Sequence, residues 1–197
     1  MFIKRWNEVG QGLETCECTA QKVAVSREDA LKMIHFLITQ VDKQKGIIYT
    51  IGNGGSSAIA SHFTTDLLRT LSISSTTFSD GSLLTCFAND CGYEHVYSTP
   101  LKRNIRERDL LIAISSSGQS LNIVNAVKVA KEAKVPVITL SGFSKDNPLR
   151  VLGDLNIWVD SSDYGIVEVA HFSLLHTVID TYSKVAEPSH SLKTEVC

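Results

Sequence analysis

No stretch of this 197-residue chain is apolar for long enough to span a membrane, which takes about 20 residues. Its formal charge of −2 gives no electrostatic basis for holding nucleic acid. The cysteines follow no pairing rhythm: they stand at 16, 18, 86, 91 and 197, an odd number in a chain large enough to bury a core without staples. Structural thiols in a reducing cytoplasm are the expectation. Cys16-Glu17-Cys18 is too tight for the usual zinc knuckle, and no second cysteine pair would complete one. The opening Met1-Phe2-Ile3-Lys4-Arg5-Trp6-Asn7-Glu8 lacks the basic-then-apolar layout of a signal peptide. Neither a linker nor a low-complexity segment divides the chain, so 43% hydrophobic residues over this length predict one well-buried domain.

What the chain does have is a strand that runs straight into hydroxyls. Leu110 to Ile114 is apolar at every position, the pattern of a strand covered on both faces, as in a parallel sheet. Ser115, Ser116, Ser117, Gly118 and Ser120 follow, and then a periodic segment with Ile123, Val124, Val127 and Ala130 on one face, which predicts a helix. A helix N-terminus leaves N–H groups unpaired and carries about half a positive charge. Hydroxyls converging there make a cradle for a dianion, and phosphate is the natural guest. One or two serines would read as helix caps. Four hydroxyls at the carboxyl end of a central strand predict an anion site, because ligands of open α/β sheets bind at that end.

The same unit occurs earlier in the chain. Ile47-Ile48-Tyr49-Thr50-Ile51 leads into Gly52-Asn53-Gly54-Gly55-Ser56-Ser57 and a helix through Ala58, His62, Leu67 and Leu68. Before it, Ser26-Arg27-Glu28-Asp29 opens a helix with Ala30, Ile34, Leu37, Ile38 and Val41 as its apolar stripe. A short strand is expected at 74–78, two short helices at 80–88 and 92–103 around the junction Asn89-Asp90-Cys91-Gly92, and strands at 135–140 and 154–159. A last helix is expected over about 165–184. Strands alternating with helices on short loops specify a three-layer αβα sandwich, here with a five-stranded parallel sheet, right-handed crossovers and an extra N-terminal helix. Residues 1–25 are expected to form an arm or short helix ahead of a domain at 26–186, and 187–197 a polar tail. The front and back helices carry more apolar surface than one small sheet covers, which fits packing against sister subunits.

Two groups of side chains suit chemistry. His62 and Asp66, four apart on a helix, share a face. On the last helix Glu168 and His176, eight apart, point roughly the same way, with His171 between them. By spacing alone an i,i+4 His–Asp pair is an exposed helix contact. If the two faces met, two imidazoles and two carboxylates would suit zinc or another divalent metal, and equally acid–base chemistry. The glycine turn is no dinucleotide fingerprint, since Ser57 stands where the third glycine belongs and no acidic residue follows at the usual distance.

Taken together, Ile51-Gly-Asn-Gly-Gly-Ser56, His62-Phe-Thr-Thr-Asp66, Asn89-Asp90, Ser115-Ser-Ser-Gly-Gln-Ser120 and Tyr164-Gly-Ile-Val-Glu168 through His176 resemble the phosphoheptose isomerases, over about residues 26–185. These are sugar-isomerase (SIS) domain proteins that convert sedoheptulose 7-phosphate into a heptose 7-phosphate for bacterial surface polysaccharide. The resemblance implies a flavodoxin-like SIS fold and an aldose–ketose isomerase. Ser115, Ser116, Ser117 and Ser120 would bind the sugar phosphate, and Asn53, Gly54, Gly55, Asn89 and Asp90 would line the sugar. His62, Asp66, Glu168 and His176 fall on the family's metal positions. Asp66, Glu168 and His176 would carry the proton transfers, with zinc as the one cofactor and no nucleotide or redox group. It also implies a homotetramer with active sites between subunits, and neither nucleic acid nor membrane as a partner.

Two positions depart from the family's pattern. Glutamate is usual where this chain has Asp66, the expected proton-abstracting base, and a displacement of about 1 Å can cost on the order of a hundredfold in rate. Glutamine is frequent where Glu168 stands. Some SIS proteins of this subgroup, including one that associates with the bacterial replication initiator, serve as binding scaffolds without isomerisation. The Asp66 substitution fits that alternative; His176 and the complete serine turn fit the enzyme.

Overall fold

In the computed structural model, which describes residues 2–185, the chain runs α1 (Phe2–Glu14), β1 (Glu17–Ala20), β2 (Val23–Val25), α2 (Arg27–Lys43), β3 (Ile48–Gly52), α3 (Gly55–Leu71), β4 (Ser75–Thr76) and α4 (Gly81–Cys91). A 3₁₀ turn at Tyr93–His95 leads to α5 (Ser98–Asn104), β5 (Leu110–Ser115), α6 (Leu121–Glu132), β6 (Val137–Ser141), α7 (Pro148–Leu152), β7 (Leu155–Trp158) and α8 (Tyr164–Val185). The tail expected at 187–197 lies outside the described residues.

The sheet order is β2-β1-β7-β6-β5-β3-β4. Its five strands β4-β3-β5-β6-β7 are parallel, as the alternation of strands and helices requires. The sheet is nevertheless seven-stranded and mixed, not five-stranded and wholly parallel: β1 pairs antiparallel with β7, and β2 with β1. The hairpin escapes sequence reading for two reasons. Its strands have four and three residues, too short for alternation to register. Its two-residue turn, Gln21-Lys22, holds both residues at positive φ (48° and 69°) without the asparagine or glycine that signals such a turn. The hairpin covers the edge that β7 would otherwise expose.

Three layers result. On one face α2, α3 and α8 bury Ile34, Ile38, Phe63, Leu67, Val178 and Ile179 against Ile48, Leu110, Ile112 and Ile138. On the other, α5 and α6 bury Leu101, Ile123, Ala126 and Val127 against Tyr49, Ile51, Leu111 and Val137. Strand period two assigns alternate residues of β5 to the two faces, so every position of Leu110–Ser115 is buried. Ser26 caps α2 as its sequence predicts, accepting from the Asp29 amide at 3.0 Å. The junction expected at 89–92 is mostly helix, because α4 continues to Cys91 and breaks only where Gly92 takes φ +87°.

Two buried polar groups hold the ends of the parallel strands. At the N-terminal end Asp109, 3% exposed, accepts from the Ile47 amide at 2.8 Å and the Arg106 amide at 2.7 Å, locking the entries to β3 and β5. At the C-terminal end His171 of α8, wholly buried, donates from Nε2 to the Ser141 carbonyl at 3.1 Å, while its Nδ1 has no partner. The proton therefore sits on Nε2 and the ring is neutral; burial pushes its pKa down to about 4.

Removing Asp109 leaves two part-buried amides without their partner. Asp109→Ala is expected to lower unfolding free energy by about 2–4 kcal/mol, read from denaturant titration. For His171, the folded pKa lies below the unfolded value, so between about pH 6.5 and 4 the unfolded chain binds more protons and stability falls as pH falls. Thermal unfolding across that window should show a shallower pH slope for His171→Gln than for the parent chain.

Candidate active site

The C-terminal ends of β3 and β5 lie side by side, and the loops leaving them depart to opposite faces, α3 to one and α6 to the other. That is the crevice where open α/β sheets bind ligands. The serine loop 115–120 forms one wall. Gly118, at φ +64°, donates its amide to the Ser115 carbonyl at 3.0 Å and lies against the Asn147 side chain, which leaves no room for a Cβ. The neighbouring loop braces it: Gly142 donates to the Ser116 carbonyl at 2.9 Å and Leu149 to the Gly118 carbonyl at 3.0 Å. Ser120 occupies the N-cap position of α6, yet its side chain makes no capping bond, receiving only a 3.4 Å contact from Ser115 Oγ. Ser116 Oγ is buried with no partner. A serine that merely capped the helix would accept from an amide of its first turn. Ser116 and Ser120 have no such employment, whereas Ser115 and Ser117 accept from the Gly118 and Gln119 amides at 3.2 and 3.3 Å.

The glycine turn forms the other wall. Asn53 and Asn122 exchange amide hydrogen bonds in both directions, at 2.9 and 2.8 Å, and Tyr93 donates to Asn53 Oδ1 at 3.2 Å. Asn53 keeps one N–H for a ligand. Tyr97, whose pKa burial raises to about 12, donates its hydroxyl to the Gly52 carbonyl. Sequence reasoning missed Asn122 and Tyr93. The available signal for Asn122 was a polar residue set directly before Ile123 on the buried side of α6. Gly54, at φ +54°, and Gly55 are exposed at the tip of the turn. The Glu168 carboxylate of α8 fills the space a side chain at 55 would need, which puts a negative charge at the start of α3, the favourable end of its dipole. Asn89 and Asp90 are exposed near the end of α4, where Asn89 donates to Asp90 at 2.8 Å and Asp90 accepts a 3.6 Å contact from the Cys86 thiol; neither bonds to the serine loop.

Farther along the helices the other residues converge. Asp66 Oδ2 lies 3.2 Å from His62 Nε2 and 3.8 Å from His176 Nδ1. Phe172 closes one side, its ring 5.0 Å from that of His62 and 4.6 Å from that of His176. Among the described residues this is the one group of three such donors, all within 4.8 Å of one another. Glu168 stands outside it: eight residues before His176 is about 12 Å along the axis. The donor set fits zinc. Bonds of about 2.0–2.1 Å in a tetrahedron put ligand atoms about 3.3 Å apart, close to the 3.2 and 3.8 Å found. Without metal, a carboxylate between two imidazoles is a base beside two proton carriers.

Comparison with known proteins identifies the family. The SIS domain model matches residues 13–142, more than half of the chain. A phosphoheptose isomerase of Cytophaga hutchinsonii is 39% identical over 150 residues, covering 73% of this chain and 78% of that protein. One from Helicobacter pylori is 34% identical over 185 residues, covering 86% and 93%. The solved phosphoheptose isomerase of Neisseria gonorrhoeae superposes with a TM-score of 0.79 at 26% identity, covering 93% of this chain and 95% of that one. Family model, sequence identity and fold agree, and the chain belongs to the phosphoheptose isomerase family of SIS-domain proteins.

Proposed function

We propose that this chain interconverts sedoheptulose 7-phosphate and D-glycero-D-manno-heptose 7-phosphate by proton transfer through an enediol. Its family membership supports the reaction, and the meeting of Asp66 with His62 and His176 is the observation that carries the chemistry. The hydroxyls of Ser115, Ser116, Ser117 and Ser120, with the N-terminus of α6, hold the phosphate and so fix one end of an open-chain sugar. Asn53, Gly54 and Gly55 line the sugar, and Glu168 accepts from its hydroxyls beside them; Asn89 and Asp90 complete the wall from α4. Asp66 takes the proton from the carbon next to the carbonyl. As the electron pair moves onto the carbonyl oxygen, His176 supplies that oxygen with a proton. A proton then returns to the former carbonyl carbon while the hydroxyl on the neighbouring carbon gives its proton to His176, so that the new carbonyl forms there. The reaction is redox-neutral within the sugar and needs no nucleotide or redox cofactor.

Zinc would be held by His62, Asp66 and His176, and when bound would polarise the carbonyl. His62 lies seven residues past Gly55 and Asp66 eleven, about 10 and 16 Å down α3 from the glycine turn. A homotetramer with sites between subunits would bring the serine loop of one protomer to the helical group of another. Phe2, Ile3 and Trp6, exposed on α1, support such packing. The cell compartment we assign is the cytoplasm, with the product entering surface-polysaccharide synthesis. The scaffold reading draws no support from the relatives reported above, which carry isomerase names.

Asp66→Asn and His176→Ala are each expected to lower turnover of sedoheptulose 7-phosphate by about 10²-fold or more while calorimetry still detects phosphosugar binding. Full turnover in either refutes the assigned roles. Ser120→Ala separates cradle from cap. As its hydroxyl caps nothing, unfolding stability should stay within about 0.5 kcal/mol instead of losing the usual ~1, and the phosphosugar should bind several-fold more weakly.

A further inference from the structure

The thiols of the α1–β1 junction stand apart from everything used so far. Cys16, just ahead of β1, and Cys18 within it line one cavity of about 130 Å³ with Leu13, Arg27, Ile157 and Leu174. That is room for a molecule several times the size of water, at about 30 Å³ each. Cys18 is buried and Cys16 half-buried. Arg27 reaches over from α2, its Nη1 donating to the Leu13 and Glu14 carbonyls at 3.1 and 2.8 Å, which fixes the guanidinium at the cavity wall. An arginine anchored beside two thiols, with a small apolar chamber in front of them, is the setting of a reactive dithiol rather than of inert core cysteines.

We propose that Cys16 and Cys18 form a hydroperoxide-reactive pair, Cys16 as the attacking thiolate and Cys18 as the resolving thiol, closing reversibly to a disulfide. The electrostatics agree. The neighbouring Cys18 thiol and the Arg27 guanidinium draw the Cys16 pKa down to about 7 against the effect of burial, while Cys16 and burial push Cys18 up. The exposed Cys86 lies beside Asp90, whose carboxylate pushes the thiol pKa up. Accessibility alone would rank the two sites the other way. In the reaction the Cys16 thiolate attacks one peroxide oxygen, the O–O bond breaks, and the departing hydroxide leaves as water with the proton of Cys18. The Cys18 thiolate then attacks the Cys16 sulfenic sulfur, the S–O bond breaks, and hydroxide is released to take a proton from solvent. Two electrons pass from the thiols to the peroxide. Two residues along an extended strand lie about 6.8 Å apart, at the upper limit of about 6.8 Å for disulfide Cα separations. Such a bond is strained and readily reopened by a dithiol.

The test is hydrogen peroxide in small excess over the full chain, quenched by alkylation and read by peptide mass. Trypsin leaves both thiols on the peptide from Trp6 to Lys22. That peptide should become two hydrogens lighter at least about tenfold sooner than Cys86 or Cys91 is modified, and dithiothreitol should restore it. In Cys18→Ser a sulfenic acid at Cys16 should be trapped by dimedone, and Cys16→Ser should leave Cys18 unoxidised. The proposal is overturned if Cys86 or Cys91 oxidises first, or if Cys18 oxidises as fast without Cys16.

Discussion

The packing of α3 against α8 is the constraint on which the chemistry depends. Ile59, Phe63 and Leu67 from one helix and Leu175, Val178 and Ile179 from the other share a single buried cluster, each such side chain adding about 1.5–3 kcal/mol when fully removed from water. Both helices leave the C-terminal rim of the sheet and run the same way, so their relative register is set by that cluster. His62 and Asp66 are one turn apart and His176 reaches the gap between them only at this register. A slide of one turn would carry the ring about 5.4 Å along the axis and separate the imidazole from the carboxylate. Polar chemistry at the surface of the seam is thus positioned by apolar burial directly beneath it.

The rim is organised by a second, polar device. Because β3 and β5 are neighbours while their helices go to opposite faces, a crevice opens between the two outgoing loops. The Asn53–Asn122 pair spans it, tying the glycine turn to α6 by two reciprocal bonds. His171 and Asn147 secure the loop after β6, which in turn braces the serine loop. The hydroxyls of Ser116 and Ser120 are then left without full partners on a loop braced by its neighbour.

The sequence disclosed these features unevenly, for physical reasons. Unbroken apolar runs such as Leu110–Ile114 announce strands buried on both faces, and the serine and glycine turns announce the rim, because backbone conformation and hydroxyl density are local properties. The β1–β2 hairpin was illegible: its strands are too short to show a period, and Gln21 and Lys22 adopt left-handed backbone that their side chains do not advertise. Helix spacing correctly paired His62 with Asp66. It could not tell which residue of α8 would join them, since register between helices is a tertiary property; the fold brings His176 to Asp66 and sets Glu168 against Gly55. Asn122 escaped notice because one of two asparagines in a helix, here Asn122 and Asn125, carries no signal until its partner is known.

The central claim is that a carboxylate poised between two imidazoles moves a proton of the sugar. The enediol stands between two separate proton transfers, which lets a proton held by Asp66 trade with water before one returns to carbon. The direct measurement is isomerisation of sedoheptulose 7-phosphate in deuterium oxide, with the heptose product read by NMR and mass. The account predicts deuterium at the carbon next to the carbonyl. Product formed at full rate with its original hydrogen carried over intact would contradict it.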